Sequence, residues 1–487
     1  MTINFWMGQT VIQPRLQSSP PQQAGPAFLQ SIVPTGVSNV QSLGFLILIA
    51  FVFMIFSRVF DMHFTSFHIP GVSERIMAVV VILSGSFWRP FNTAIGKRLL
   101  WFTAWMVLGV PFSVWRSDSL SILTSSWWPC LIVFMAVAGL IEDYTQYRRI
   151  AFTMAFAILV LSILCLRYGN MDTGRLWMAN RSRFANPNEM AQAMLIGIPF
   201  WLAMCKRSSA LPSKLATGAV LLLMVYIIAK TGSRGALISF AALYLAMLIH
   251  ASTIGKAGLL LAASLSICAA LAFLPSNLKD RYKTLFSEDK PEIEDVAEDQ
   301  LLVSAVSSTA SREHLLRQSL ILTATHPIFG VGVGQFMVAE NALAVSQGQR
   351  RGSWLGTHNT YMQVASETGL PGAFLFISML LISLRMTHSL YTSTRNEPEL
   401  KEISSQAEAL FFSLICLATT DMFIHVPYTM LLPVLGGMGI SLEYTSRPMI
   451  AEVRRRKAEA ALPVATVRQV SPGPVPVARP ADLLPST

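Results

Sequence analysis

Five segments of this chain gather arginine, histidine, asparagine and glycine between long apolar stretches. They read RSRFANPNEMA (181–191), TGSRGA (231–236), SREHLLRQ (311–318), HPIFGVGVGQF (326–336) and HNTYMQVASETGLPG (358–372). An arginine held among apolar groups at mid-bilayer costs about 2.5–3.5 kcal/mol. A cluster of arginines therefore requires a carboxylate partner or a bound anion, and carboxylates are scarce in these segments.

A diphosphate attached to a lipid has the chemistry that such a cluster needs. Guanidinium groups bind phosphate oxygens bidentately, with charge-assisted bonds of about 1.5–3 kcal/mol each. The arginines that could bind the diphosphate are Arg181, Arg183, Arg234 and Arg312. Arg234 stands between small residues at a predicted helix start, where the helix N-terminus adds partial positive charge and a ligand can approach the backbone.

A histidine beside this cluster could accept a proton. His358 precedes Asn359 at the start of a predicted helix, and its reference pKa of about 6.5 suits a base that takes a proton from a hydroxyl. Asp421 and His425, four residues apart on a predicted helix, could form a proton relay or a buried polar pair. The glycine-rich FGVGVGQF segment lacks a preceding strand, so it indicates a tight turn rather than a dinucleotide site.

The elements that carry these residues are predicted to be membrane helices. The chain is 53% hydrophobic and 13% charged, and apolar windows of about 20 residues recur from Ser42 to about Leu442. We predict twelve spans, near 43–60, 74–88, 98–116, 121–141, 149–167, 189–205, 213–230, 235–251, 257–275, 361–385, 406–425 and 427–444. The fold class is therefore an all-α, polytopic integral membrane protein.

Charge in the turns predicts the topology. Turns rich in Lys and Arg alternate with poorer ones, and the rich side is cytoplasmic by the positive-inside rule. We expect a cytoplasmic tail at 1–42, a transmembrane domain at 43–446, and a disordered cytoplasmic tail at 447–487. A long periplasmic loop, 276–360, lies between helices nine and ten, and its residues 311–325 have the leucine spacing of an interfacial amphipathic helix.

Other features of the composition narrow the function. The formal charge is +10, but the basic residues sit in short turns and in the Arg454 to Lys457 run, which favours membrane topology over nucleic-acid binding. The five cysteines lie in apolar windows without paired spacing, so they are predicted core residues rather than metal ligands. The polar residues before Ser42 do not resemble a cleavable signal peptide.

These motifs, taken in order, resemble the O-antigen ligase and O-antigen polymerase superfamily of integral membrane glycosyltransferases. His358-Asn359, nine residues, then Gly369 to Gly372 looks like the His-Asn/nine/Gly-x-x-Gly signature of O-antigen ligases. Arg312 with Leu316 resembles the family's Arg-x-x-x-Leu motif. The elements around Asn188, Arg234 and His326 also look like the superfamily, and the resemblance runs from about Arg181 to Gly372.

The resemblance implies a transfer without metal or cofactor, with inversion at the anomeric carbon. The donor would be an undecaprenyl-diphosphate-linked saccharide, and the acceptor a hydroxyl of lipid A core or of a growing polysaccharide. It further implies that Arg234 and Arg312 hold the donor diphosphate and that His358 activates the acceptor, with Asn188, Asn359, Gly369 and Gly372 in support. The protein would lie in the bacterial inner membrane among its lipids, with the site facing the periplasm.

One position departs from the family pattern. Relatives usually carry glycine near the position of Ser182, which here stands between Arg181 and Arg183. Which of Arg175, Arg181 and Arg183 reaches the donor is therefore open.

Three functions compete at this point. A ligase and a polymerase share the motifs and differ in the acceptor, so the residues do not separate them. A transporter or flippase for polysaccharide precursors should show helices related by internal symmetry and charges near the bilayer midplane. The charges here lie mostly at one predicted face, which favours an enzyme.

Overall fold

The computed structural model describes residues 39–60, 69–171, 174–178, 186–207, 210–261, 264, 276–283 and 300–461. Within these residues the chain is almost entirely helical, so the predicted all-α class is confirmed. The helices of the first half are α1 (Asn39–Ser57), α2 (Ile69–Leu83), α3 (Ala94–Gly109), α4 (Arg116–Gly139), α5 (Tyr144–Tyr168), α6 (Pro187–Arg207), α7 (Leu211–Lys230) and α8 (Arg234–His250). A hairpin of two antiparallel strands with two residues each, β1 (Gly169–Asn170) and β2 (Trp177–Met178), lies between α5 and α6. Gly169 pairs with Met178.

The second half carries the remaining helices. They are α9 (Ser276–Lys283), α10 (Gln300–Thr325), α11 (Phe336–Ser346), α12 (Thr360–Thr394), α13 (Lys401–Thr420) and α14 (Leu431–Ala461). Residues 253–261 are also helical, and most of the predicted ninth span, 257–275, lies outside the described residues. The segment predicted as a long loop contains α9, α10 and α11, so its described part is folded rather than extended.

Five helical segments in the described residues are long and apolar enough to cross a membrane. They are Arg116–Gly139, Tyr144–Tyr168, Leu211–Lys230, Thr360–Thr394 and Pro398–Thr420. Shorter apolar helices include Gln41–Ser57 and Arg234–His250. The structure therefore contains helices of the membrane type, while the number of twelve spans stays a prediction.

The last helix differs from the sequence expectation. The tail was predicted to begin after residue 446, but α14 continues to Ala461 and includes the basic run Arg454 to Lys457. Ion pairs explain the continuation, because Lys457 Nζ lies 2.6 Å from Glu397 Oε2 and Arg455 pairs with Glu452 one helical turn earlier. Residues 462–487 lie outside the described part of the chain.

Small and hydroxyl residues allow the helices to pack closely. Lipid is as apolar as leucine, so membrane helices gain most from tight packing and from hydrogen bonds between helices. Ser413 of α13 donates to the Ile196 carbonyl of α6 at 2.8 Å, and Ser441 of α14 donates to the Val137 carbonyl of α4 at 2.6 Å. Gly197 lies against Ile158, where a Cβ atom would be only 3.0 Å from that side chain.

Contacts at the helix ends define two ends of the bundle. At one, which we call the arginine end, Gln192 of α6 bonds to Asp421 after α13, Thr360 N of α12 donates to the Asp421 carbonyl, and Gly235 of α8 lies against Phe423. At the other, which we call the opposite end, Lys206 of α6 and His250 of α8 both approach Glu408 of α13. The 25 residues of α5 correspond to roughly 37 Å of helix, enough to separate the two ends by the thickness of a membrane.

The glycine-rich segment supports a break in α12. Gly369, with φ 72° and ψ −178°, interrupts the helix in a conformation that is essentially restricted to glycine. Leu370 N donates to the Pro327 carbonyl at 2.8 Å, and Val331 N and Gly332 N donate to the carbonyls of Ser366 and Glu367. The predicted tight turn at 326–334 is thus present, and it satisfies backbone carbonyls that the break leaves free.

Gly369→Ala should destabilise the fold. The backbone conformation alone costs a non-glycine residue about 1–3 kcal/mol, and the added Cβ would collide with the Ile328 carbonyl oxygen. We expect a clear drop in the apparent Tm of the detergent-purified protein. Gly218→Ala is the matched control, because Gly218 lies within α7 and a Cβ there meets no atom within 4 Å; equal Tm values for the two variants would contradict this account.

Candidate functional site

Two arginines clasp the turn between α7 and α8. Arg175, in the β1–β2 hairpin, donates from Nε to the Thr231 carbonyl at 2.8 Å and from Nη2 to Asn188 Oδ1 at 3.0 Å. Arg281 of α9 is buried and donates from Nε to the Gly232 carbonyl at 2.9 Å. Each guanidinium therefore donates a hydrogen bond to a backbone carbonyl and holds in place the turn that precedes Arg234.

The turn itself presents Arg234 at the start of α8. Gly232 has φ 57°, and a Cβ there would lie 3.0–3.4 Å from Leu278, Arg281 and Arg175, so glycine allows all three to approach the backbone. Ser233 is the N-cap, and its hydroxyl accepts from Ala236 N at 3.2 Å. Arg234 follows directly, as the first residue of the helix, and its side chain is half-buried.

Arg312 reaches the same region from α10. On one face of this helix Leu315 and Leu322 are buried in a small core with Val331 and Phe336. Leu316 and Leu320 are 42% and 53% exposed on another face, so the four leucines do not share one environment, and the predicted interfacial amphipathic helix stays a prediction. The Nε atom of Arg312 is buried, and no hydrogen-bond partner for it lies within the described residues.

The four arginines form one electrostatic cluster, which we call the arginine cluster: Arg175, Arg234, Arg281 and Arg312. Burial lowers the pKa of Arg175 to about 9, with further contributions from the charges of Arg281, Arg312 and Arg234. Burial, followed by the charges of Arg234 and Arg312, lowers the pKa of Arg281 to about 10. Within the described part of the chain no carboxylate comes into ion-pairing range of Arg175 or Arg312, so the region favours an anion.

His358 stands at the edge of the cluster, in the loop before α12. Its φ of 52° is a left-handed conformation that is uncommon for histidine. The Thr357 hydroxyl donates to the Asn359 carbonyl at 2.7 Å, and Asn359 caps α12 by accepting from Met362 N at 3.0 Å. The loop geometry is thus fixed from both sides of His358, and Asn359 acts in the structure as a helix cap.

A second histidine faces the first. The rings of His358 and His425 are 4.8 Å apart and nearly perpendicular, and the His425 ring covers Gly356, where a Cβ would collide with it. Thr360 joins the two loops, because its hydroxyl donates to the Ile424 carbonyl at 2.8 Å and accepts from Val426 N. His425 Nδ1 is buried without a partner in the described residues.

The predicted pairing of Asp421 with His425 on one helix face is wrong. Helix α13 ends at Thr420, Asp421 to Phe423 form a turn, and residues 424–426 run without regular structure to Pro427. Proline disfavours helical conformation in the residue before it and cannot donate a backbone hydrogen bond. Asp421 instead accepts from Gln192 at 2.8 Å, whereas His425 turns toward His358.

The surroundings keep His358 neutral. Burial is the main cause that lowers its pKa to about 4, and the neighbouring His425 and Arg312 lower it further. The pKa of His425 is lowered as well, by burial and then by Arg312. At pH 7 both rings are therefore neutral, and the nearness of Arg312 links this pair to the arginine cluster.

The remaining predicted residues divide into two groups. Arg181 and Arg183 lie outside the described residues, so their roles stay predictions. Gly369 and Gly372 lie further along α12. Gly369 permits the break in the helix, and Gly372 leaves room for the Thr368 side chain. Near the break, buried Glu367 accepts from Gly334 N, Phe336 N, Gln363 and Tyr428, so these positions support the shape of the helix.

Two members of the site were not selected by sequence reasoning. Arg281 lies near the start of the 276–360 segment, which is predicted as a long loop, and only the structure shows that α9 returns to the α7–α8 turn. For His425 the sequence predicts only a pairing with Asp421, because one continuous helix is predicted through both residues. The available signal was the Val426-Pro427 pair, which predicts the end of a helix before His425.

Comparison with known families gives one match in this region. Residues 219–377 match the O-antigen ligase family (Wzy_C). The matched range includes Arg234, Arg281, Arg312 and His358, whereas Arg175 and His425 lie outside it. No curated protein matches the chain. The chain therefore has membrane-type helices, and its residues 219–377 are similar to the O-antigen ligase family.

Proposed function

We propose that this protein transfers a glycan from an undecaprenyl-diphosphate-linked donor to an acceptor hydroxyl, at the periplasmic face of the bacterial inner membrane. The observation that carries the proposal is the meeting of four arginines and a neutral histidine at one end of the bundle, inside or beside the matched segment. Glycan transfer of the O-antigen ligase type is what the family supports in general. The donor, acceptor and membrane face are our proposal.

In this mechanism the arginines bind the leaving group. Arg234 and Arg312 neutralise the diphosphate, and Arg175 and Arg281 hold the α7–α8 turn in place. Charge that develops on the leaving diphosphate is stabilised by cations positioned beforehand, which lowers the barrier without a metal ion. Arg181 and Arg183 are further candidates for contact with the donor.

His358 acts as the base in a single displacement. The imidazole accepts the proton of the acceptor hydroxyl while the hydroxyl oxygen bonds to the anomeric carbon. The bond from that carbon to the diphosphate oxygen breaks, and undecaprenyl diphosphate leaves with the electron pair, so the configuration inverts. A bound diphosphate offsets the Arg312 charge, which raises the pKa of His358 and makes it a better base in the loaded site.

The charges at the opposite end support the membrane orientation. Arg148, Arg149, Lys206 and Lys401 stand at helix ends remote from the arginine cluster, as expected of a cytoplasmic side. Twelve spans, with the 276–360 segment on the periplasmic side, would place both termini in the cytoplasm.

Deletion of the gene distinguishes a ligase from a polymerase, which differ in the acceptor they use. If the protein is a ligase that uses lipid A core, banded lipopolysaccharide should disappear and lipid-linked polymer should accumulate. If it is a polymerase for lipopolysaccharide or exopolysaccharide, single lipid-linked repeat units should accumulate. Unchanged lipopolysaccharide and secreted polysaccharide would contradict both.

Removal of the base should abolish transfer. A general base typically contributes about 10²- to 10⁴-fold in rate, so His358→Ala and His358→Asn should both lose activity by at least about 100-fold. Asparagine tolerates the left-handed backbone of this position, which makes His358→Asn the cleaner test. Surface polysaccharide and membrane-inserted protein are measured together, with exposed His326→Ala as the active control. Normal surface polysaccharide in the His358→Asn variant would show that His358 is not the base.

Replacement of Arg234 by lysine should impair the donor step. Lysine keeps the charge but loses the planar fork that binds two phosphate oxygens. Loss of one charge-assisted bond of about 1.5–3 kcal/mol predicts a roughly ten- to hundredfold lower kcat/KM for the lipid-linked donor. Arg167→Lys, an exposed arginine at the end of α5, is the matched control; equal values for the two variants would leave Arg234 without a bidentate role.

The pH dependence follows from the low pKa of His358. The free enzyme keeps this imidazole unprotonated down to its pKa of about 4, and kcat/KM reports groups of the free enzyme. We expect kcat/KM to stay level from pH 8 to about pH 5 and to fall below that. In Arg312→Gln the fall of kcat/KM should occur at higher pH, because the loss of one positive charge near the imidazole raises the pKa of His358. If kcat/KM of the native protein already falls near the ordinary pKa of histidine, this account is contradicted.

A further inference from the structure

A large cavity opens at the opposite end of the bundle. Its volume is about 1440 Å³, and it lies between the start of α5, the ends of α6, α8 and α12, and the start of α13. None of the residues proposed for glycan transfer lines it. The cavity is therefore separate from the arginine cluster, on the other side of the helices.

The charges around this cavity do not cancel. Two of its basic residues are paired, since Arg148 lies 3.1 Å from Glu402 and Lys206 lies 2.6 Å from Glu408. Arg149, Arg395 and Lys401 also line the cavity. In the described part of the chain no carboxylate comes within ion-pairing range of these three, so the rim carries excess positive charge.

Carboxylates of the cavity are already occupied. Glu408 is nearly buried and also faces His250, whose ring stacks on Tyr391 at 4.8 Å. Glu399, the third carboxylate of the lining, lies 3.9 Å from Arg456 of α14. Within the described residues, Arg149, Arg395 and Lys401 therefore have no counterion that a bound anion would have to displace.

The cavity continues along an apolar wall. Phe152, Pro199, Phe200 and Phe412 line it, and Phe152 is 53% exposed on the outer surface of the bundle. A basic rim above an apolar, laterally exposed wall matches the two parts of a phospholipid. Basic pockets between membrane helices are a known means of binding anionic lipid head groups.

We propose that this cavity binds an anionic phospholipid of the leaflet opposite to the arginine cluster. Arg149, Arg395 and Lys401 contact the phosphate, and an acyl chain lies along Phe152 and Pro199. A free phosphate ion would satisfy the same cations, but it would leave the apolar wall uncovered and most of the volume empty. The lipid thus fits both parts of the cavity.

The test is lipid binding by the full chain. The detergent-purified protein is titrated with phosphatidylglycerol or phosphatidylcholine in mixed micelles, and the bound lipid is followed by thermal shift and by native mass spectrometry. We expect half-saturation at a mole fraction of phosphatidylglycerol at least tenfold lower than for phosphatidylcholine. Glycerol phosphate and inorganic phosphate are added as soluble competitors and should not displace the lipid.

Matched variants identify the site. Arg149→Gln/Arg395→Gln should raise the half-saturating fraction of phosphatidylglycerol roughly 25-fold, because each lost cation contributes about fivefold and the two factors multiply. The control Lys97→Gln/Arg454→Gln removes two exposed cations that do not line this cavity, and it should change binding less than twofold.

Three outcomes would overturn the proposal. They are equal binding of the two lipids, equal effects of the two double variants, and displacement of phosphatidylglycerol by inorganic phosphate, which would indicate a site for a free anion. The assay contains no glycan donor, so its result is independent of whether the arginine end transfers glycans.

Discussion

The constraint on which the rest of the structure depends is the positive charge collected at the arginine end. Burial and then the charges of neighbouring arginines lower the pKa of Arg175, Arg281 and Arg312, so these guanidiniums would separate if the chain allowed it. Backbone carbonyls of the α7–α8 turn prevent this by accepting hydrogen bonds from Arg175 and Arg281. A carbonyl carries only a partial charge, so these bonds fix the positions of the side chains without neutralising them. If a diphosphate binds here as proposed, it would relieve repulsion among the arginines, and that relief would contribute to its affinity.

Rigid supports keep the histidine pair beside this charge. Thr360 bonds to the segment that carries His425, and Asn359 caps the helix that follows His358. Further along α12, the break at Gly369 is held by the 326–334 segment, which begins immediately after the helix of Arg312. Arg312 and His358 are therefore tied to one another through backbone hydrogen bonds. Such a connection limits how far His358 can move from the arginine cluster.

Much of the fold followed from the sequence because apolar windows have the length of membrane helices. The starts and ends of α6, α7, α8 and α13 agree with the predicted spans within a few residues, since charged turns bound them. That Arg234, Arg312 and His358 are candidate functional residues could also be predicted, because an arginine or a loop histidine next to an apolar window indicates function. Arg281 and His425 were not selected, because their position depends on how distant segments return to one another. That return is a property of tertiary packing, which spacing along the chain does not encode.

The exposed leucines of α10 have a consequence for how the protein senses its surroundings. Leu316 and Leu320 lie on the same helix as Arg312, a single turn or two away. If these leucines rest in the head-group layer of the bilayer, the depth of that layer sets the height of the Arg312 guanidinium relative to His358. Thinner or thicker bilayers would then tilt α10 by different amounts. The lipid composition of the membrane would thereby adjust the geometry of the proposed transfer site, with no regulatory ligand involved.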